Sequence, residues 1–167
     1  MQNINAKANC WSSNGKAASS VEKVTLCPIC NGNTQQVKYI TVKHFVKDDS
    51  INDLNEGDYH ICLNKDCDVV YFNENKNIIL KRQHIKIPIW YKKDANPKYI
   101  CYCNKVTEEQ IINAVLIDGA ENLKDIVRLT GAMKNGKCET NNPLGKCCSP
   151  VIKETINKAL KVKESIK

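Results

Sequence analysis

Along residues 23–97 the apolar positions come in short β-branched and aromatic runs separated by turn-formers. The runs are Val37-Lys38-Tyr39-Ile40-Thr41-Val42-Lys43, Asp58-Tyr59-His60-Ile61-Cys62, Val69-Val70-Tyr71-Phe72 and Ile78-Ile79-Leu80, and segments of that length and composition predict strands. Between them lie Asn31-Gly32-Asn33, Asp48-Asp49-Ser50, Asn55-Glu56-Gly57-Asp58 and Asn73-Glu74-Asn75, residue types that favour tight turns. From Tyr99 onward the period changes. Thr107-Glu108-Glu109-Gln110 has the spacing of a capping box, and Ile111, Ile112, Val115 and Leu116 follow at helical intervals until Asp118-Gly119. A second helix is predicted over 121–130, with Leu123, Ile126, Val127 and Leu129 apolar and Gly131 beyond its end. A third starts near Pro150 and carries Val151, Ile152, Ile156 and Leu160. The stretch from Gly131 to Ser149 reads as a loop.

This pattern divides the chain of 167 residues. Residues 1–22 have no periodicity and are expected to be a flexible tail, with Cys10 a free thiol. Residues 23–97 form a β-rich unit closed by a polar linker, Tyr91 to Pro97. Residues 98–167 form a small helical unit, so the fold class is α+β. No apolar run is long enough to cross a membrane. The N-terminus has no apolar core of a secretory signal, so a cytoplasmic location is expected.

Cysteine changes the picture most. Ten cysteines occur, grouped as Cys27-Pro28-Ile29-Cys30, Cys62-Leu63-Asn64-Lys65-Asp66-Cys67, Cys101-Tyr102-Cys103 and Cys147-Cys148, with Cys138 and Cys10 alone. In a reducing compartment close-set cysteines are better read as metal ligands than as disulfides. Cys27 and Cys30 with Cys62 and Cys67 supply two paired thiolates each, the donor set of a structural zinc site at about 2.3 Å zinc–sulfur distance. Short strands with few apolar residues gain from such a metal staple. His44 and His60 each fall within a strand-like run and are not expected to ligate. Asp48, Asp49, Asp53, Glu56 and Asp58 read as a solvated acidic loop.

The second set is Cys101 and Cys103, Cys138, and the adjacent Cys147 and Cys148. A C-x-C pair does not easily place both sulfurs on one small tetrahedral ion, whereas a 2Fe-2S rhomb takes two thiolates on each iron. Cys101 and Cys103 precede the first helix, Cys138 follows the second and Cys148 precedes the third. Helix N-termini and loop amides there suit a negatively charged cluster.

The formal charge is +7. Eight metal-bound thiolates remove eight charges, and a zinc ion and an oxidised 2Fe-2S core return two each, leaving +3. The cations are lysines apart from Arg82 and Arg128, and scarce arginine argues against a sequence-reading nucleic-acid binder. No nucleic-acid partner and no membrane insertion are expected. No nucleophile–base pair or carboxylate dyad is evident, so hydrolytic catalysis is not expected.

Cys101-Tyr102-Cys103-Asn104-Lys105-Val106-Thr107-Glu108-Glu109 and Cys148-Ser149-Pro150-Val151-Ile152 resemble the bacterioferritin-associated ferredoxin-like 2Fe-2S module, a small helix–turn–helix fold. That resemblance implies Cys148, at the start of the module's last helix, rather than Cys147 as the fourth ligand beside Cys101, Cys103 and Cys138. The whole order, from CPIC through CLNKDCDVVYFN and YICYCNKVTEE to NPLGKCC, resembles the N-terminal region of CopZ-type copper chaperones. The resemblance implies a mononuclear zinc, a 2Fe-2S cluster, a cytoplasmic location and a role in metal handling. The cluster would carry one electron to a partner protein or to copper, and the partner would be a redox or metal-transfer protein such as a copper transporter or chaperone. An iron–sulfur sensing or assembly module without copper chemistry is the alternative. That family continues into a heavy-metal domain with an M-x-C-x-x-C copper loop. The one C-x2-C of this chain is Cys27–Cys30, already assigned to zinc, which argues against direct copper(I) delivery by this stretch.

Overall fold

The first half is built on a four-stranded antiparallel sheet of order β1-β2-β3-β4. The computed structural model describes residues 24–52 and 54–166, so Cys10, Asp53 and the expected tail lie outside the described residues. The strands are β1 (Thr34–Val37), β2 (Tyr59–Cys62), β3 (Val69–Asn73) and β4 (Ile78–Lys81). Thr34 pairs with Cys62 and His60 with Phe72. β3 is buried along its whole length. A register shift between Val69 and Tyr71 is the kind of irregularity that lets neighbouring side chains share a face. Val70 and Tyr71 join the larger core with Val42, Phe45 and Ile61, while Val69 and Phe72 pack against the cysteines.

Three of the four expected strands form. The run from Val37 to Lys43 is the exception: Val37 ends β1, and Tyr39–Phe45 is a helix, α1. The deciding residues are further on. Thr41, Val42 and Phe45 are fully buried, and Phe45 follows Thr41 by four residues and Val42 by three, the spacing of a helix face, whereas a pleated strand would place Thr41 and Val42 on opposite faces. His44 is therefore helical. Asp48–Ile51 forms a one-turn helix, α2, where a turn is expected.

The second half has a two-stranded sheet of β5 (Tyr99–Cys101) and β6 (Val106–Thr107). It is followed by α3 (Glu108–Leu116), α4 (Leu123–Thr130), the short α5 (Cys138–Asn141) and α6 (Ser149–Ser165). Thr107 and Gln110 form the reciprocal cap, with Gln110 N donating to Thr107 Oγ1 at 3.2 Å and Thr107 N donating to Gln110 Oε1 at 2.9 Å. Asn122 caps α4, and Gly131 ends it at φ 77°. The expected loop of 131–149 thus contains one short helix. α3 packs on α6, and α4 on both, around Ile100, Val106, Ile111, Val115, Ile126, Ile152 and Ile156.

The two halves share a core. Tyr102 belongs to the cluster of Phe45 and Tyr71, and its ring meets Phe45 edge-on at 5.5 Å. Thr41 Oγ1 donates to the carbonyl of Glu139 at 2.6 Å, Gln35 Nε2 to that of Leu144 at 2.8 Å, and Tyr71 OH to that of Pro143 at 3.0 Å. Lys38 is ion-paired with Glu139. The stretch expected as a polar linker also turns inward: Lys92 is buried, and Tyr91 OH donates to the carbonyl of Cys62 at 3.0 Å. Aromatic Trp90 and Tyr91 at its start have apolar surface to bury, which a solvated linker does not offer.

Candidate metal centres

Two tight turns deliver the first four cysteines. In the first, Asn31 N donates to the carbonyl of Cys27 at 2.9 Å, and Cys27 N to that of Gly32 at 3.0 Å. The backbone N–H of Gly32 points at Cys30 Sγ, 3.4 Å away. A Cβ on Gly32 would sit 3.1 Å from that sulfur and 3.3 Å from Asn64 Cβ, so the close approach of the two turns favours glycine there. In the second, Cys67 N donates to the carbonyl of Asn64 at 3.3 Å, and Leu63 N to that of Asn33 at 2.9 Å, tying the turns together.

The four sulfurs all lie within 4.8 Å of one another. Cys27 Sγ and Cys67 Sγ are 4.0 Å apart, and Cys30 Sγ and Cys62 Sγ 3.7 Å. A zinc ion bound tetrahedrally at about 2.3 Å from each sulfur needs sulfur–sulfur edges of about 3.8 Å, so this donor set fits one ion. Cys27, Cys62 and Cys67 are buried and Cys30 half-buried, against Val69 and Phe72. The Gly32 N–H draws the Cys30 thiol down to about 6, while burial pushes Cys62 up to about 12 and raises Cys67. Without metal the set retains protons, and an ion has to displace them.

Among the described residues this is the one group of three or more possible ligands so closely gathered, and neither histidine belongs to it. His44 lies edge-on to Phe45, and His60 stacks on Phe72. Asp48, Asp49, Glu56 and Asp58 are exposed; Asp48 pairs with Lys86.

The second set is arranged two by two. Cys103 Sγ and Cys138 Sγ are 3.8 Å apart, and the buried Cys101 and Cys148 thiols lie close enough to shift each other's titration, Cys101 downward and Cys148 upward. Cys101 closes β5, Cys103 lies in the turn to β6, Cys138 opens α5 and Cys148 immediately precedes α6. Cys101 and Cys148 are buried; Cys103 and Cys138 are half-buried. Met133 N donates to Cys101 Sγ at 3.3 Å from a backbone at φ 64°, a left-handed conformation that a non-glycine residue adopts only at a cost of roughly 1–2 kcal/mol. The Cys148 thiol and the amides of Met133 and Asn104 hold Cys101 down to about 5. The neighbouring Cys101 thiol, with burial, holds Cys148 well above the usual thiol value. Burial raises Cys138 to about 11. Two sulfur pairs, one inner and one outer, suit a binuclear cluster carrying two thiolates on each iron. Cys147 is exposed, and its thiol is lowered by hydrogen bonds from Ser149.

The cysteine spacing does not reveal three contributors: Gly32, Met133 and Lys92. Gly32 stands inside an Asn-Gly-Asn turn, and its closeness to Asn64 depends on a turn 32 positions away. Met133 acts through its amide, to which no side-chain pattern points.

Comparison with known proteins agrees with this geometry. Residues 24–86 match the CopZ zinc-finger family, described as a zinc binding domain, and residues 99–158 match the BFD-like 2Fe-2S binding domain. The curated copper chaperone CopZ of Archaeoglobus fulgidus is 35% identical over 122 residues, 73% of this chain and 57% of that protein. The chain thus aligns with little more than half of that relative's length. The X-ray structure of the Archaeoglobus fulgidus CopZ N-terminal domain superposes with a TM-score of 0.66 at 33% identity, covering 78% of this chain and 96% of that one. With a zinc-binding unit followed by a BFD-like 2Fe-2S unit in one α+β fold, the chain belongs to the family of the CopZ N-terminal domain.

Proposed function

We propose that the chain is a cytoplasmic zinc- and 2Fe-2S-binding redox protein of metal handling, which carries one electron to a partner protein or to copper. Cys27, Cys30, Cys62 and Cys67 hold the zinc within the unit of residues 23–97. Cys101, Cys103, Cys138 and Cys148 hold the cluster within residues 98–167. The observation that carries this reading is the contrast between the two sets: one gathers four sulfurs about a point, and the other sets Cys103 and Cys138 3.8 Å apart and half-buried, with Cys101 and Cys148 buried.

Bound there, a 2Fe-2S cluster supplies one-electron chemistry. The chain's own residues prepare the place for it. The Met133 amide, aimed at the Cys101 sulfur, and the N-terminal turn of α6 beside Cys148 favour negative charge on the buried side. The half-buried Cys103 and Cys138 face outward. A cavity of about 440 Å³ opens beside Cys103, with His44, Lys86, Tyr99, Tyr102 and Lys105 in its walls, and gives a partner an approach to that edge. The similarity to a protein named a copper chaperone supports copper as the metal handled and a copper transporter or chaperone as the partner. Reduction of Cu(II) would yield Cu(I), the form that soft thiolates select.

Electron paramagnetic resonance tests the reading. Anaerobically isolated protein is expected to be silent when oxidised and to show a spin-one-half signal after one electron from dithionite. An iron-containing sample that stays silent on reduction would overturn the proposal.

A further inference from the structure

The family matches end at residue 86 and resume at residue 99, and the stretch between them contains Lys92. Its side chain is buried, with only 4% of the residue exposed. Lys92 Nζ donates to the carbonyls of Asn64 at 2.8 Å, Cys67 at 3.2 Å and Val69 at 2.7 Å. Asn64 and Cys67 belong to the turn that presents the fourth sulfur, and Val69 opens β3. All three donors of the ammonium are thus used on one short piece of backbone.

A buried ammonium ordinarily has an anionic partner. Among the described residues the ion pairs involve Lys38, Arg82, Lys86, Lys98, Arg128 and Lys158, and none places a carboxylate on Lys92. Burial draws the Lys92 ammonium below its ordinary value, and the nearby Cys62, Cys67, Cys27 and Cys30 oppose that shift. A zinc ion with four thiolates carries a formal charge of −2, and low-dielectric surroundings make such a charge costly.

We propose that Lys92 is a positioning residue of the zinc site, clamping the Asn64–Val69 turn through three carbonyls and offsetting one of the two negative charges of the loaded site. The proposal rests on the zinc reading above. It extends the working site into residues 87–98, beyond the zinc-binding match.

The test compares full-length wild type with Lys92→Gln and Lys92→Met, each purified with its metals, by the rate at which a chromogenic chelator withdraws zinc. Gln keeps a hydrogen-bond donor without the charge; Met keeps neither. Both are expected to release zinc about tenfold faster or more, the usual scale for losing an outer partner of a metal site. Wild-type rates in Lys92→Gln with fast release in Lys92→Met would overturn the charge role. Wild-type rates in both would overturn the proposal entirely. Should the variants not fold, acylation of wild-type lysines read by mass spectrometry decides. Lys92 is expected to be protected with zinc bound and to become reactive on zinc removal, while lysines of α6 keep their labelling rate. Equal labelling of Lys92 in both states would overturn the proposal. Wild type purified without zinc would overturn the underlying zinc reading instead, and is seen before any variant is compared.

Discussion

Tyr102 stands between Cys101 and Cys103, both proposed to hold the cluster, yet its side chain serves the other half of the molecule. Its hydroxyl accepts a hydrogen bond from Trp90 N at 3.0 Å and donates one to the carbonyl of Pro88 at 2.7 Å. Its ring packs edge-on against Phe45, Trp90 and Tyr99. Burial raises the Tyr102 phenol above its ordinary value. Tyr102→Phe preserves the ring contacts and removes only the hydroxyl, leaving one backbone donor and one acceptor without their partner. Each such loss costs roughly 1–3 kcal/mol. Both bonds are only partly buried, so the low end applies and the sum is about 2–3 kcal/mol. At roughly 2–4 °C per kcal/mol for a chain of this size, the melting temperature falls by about 5–10 °C. The assay is calorimetry or circular dichroism under anaerobic conditions, at zinc and iron contents matched to wild type. A fall of less than about 1 °C would show that residues 88–91 take their hydrogen bonds from water.

Two further substitutions test the sites themselves. Cys148→Ser is expected to lose or blue-shift the cluster absorption, while Cys147→Ser keeps the parent spectrum and both irons; the reverse pattern would move the fourth ligand to Cys147. Gly32→Ala places a methyl 3.1 Å from Cys30 Sγ, a sulfur that cannot yield while metal-bound. Overpacking of that kind costs about 1–3 kcal/mol, so chelator-driven zinc release should quicken with the iron spectrum unchanged, and an unaltered rate would contradict the packing described.

The candidate sites are legible in the sequence because metal ligation concentrates its signal in one residue type at short spacings. The pairs Cys27/Cys30 and Cys62/Cys67 mark their own turns, and the Thr107–Gln110 cap, Gly131 and Pro150 mark helix ends through local backbone demands. What stayed hidden depends on contacts distant in sequence. α1 was masked because Val37 to Lys43 is β-branched and aromatic, and its helical face shows only when Phe45 is counted with Thr41 and Val42. That helix then seats the cluster half, through Thr41 on Glu139 and Phe45 on Tyr102. Lys92 sits in a polar run whose composition reads as solvated, and only the fold turns its ammonium toward Cys67 and Val69.

The central claim is that one chain holds a mononuclear zinc and a separate 2Fe-2S cluster. Anaerobic purification followed by zinc, iron and acid-labile sulfide analysis, with an electronic spectrum of the same sample, tests it most directly. The account predicts one zinc, two irons and two sulfides per chain, with sulfide-to-iron charge-transfer absorption in the visible. A colourless, sulfide-free protein after anaerobic reconstitution, or iron and zinc competing for the same four cysteines, would contradict it.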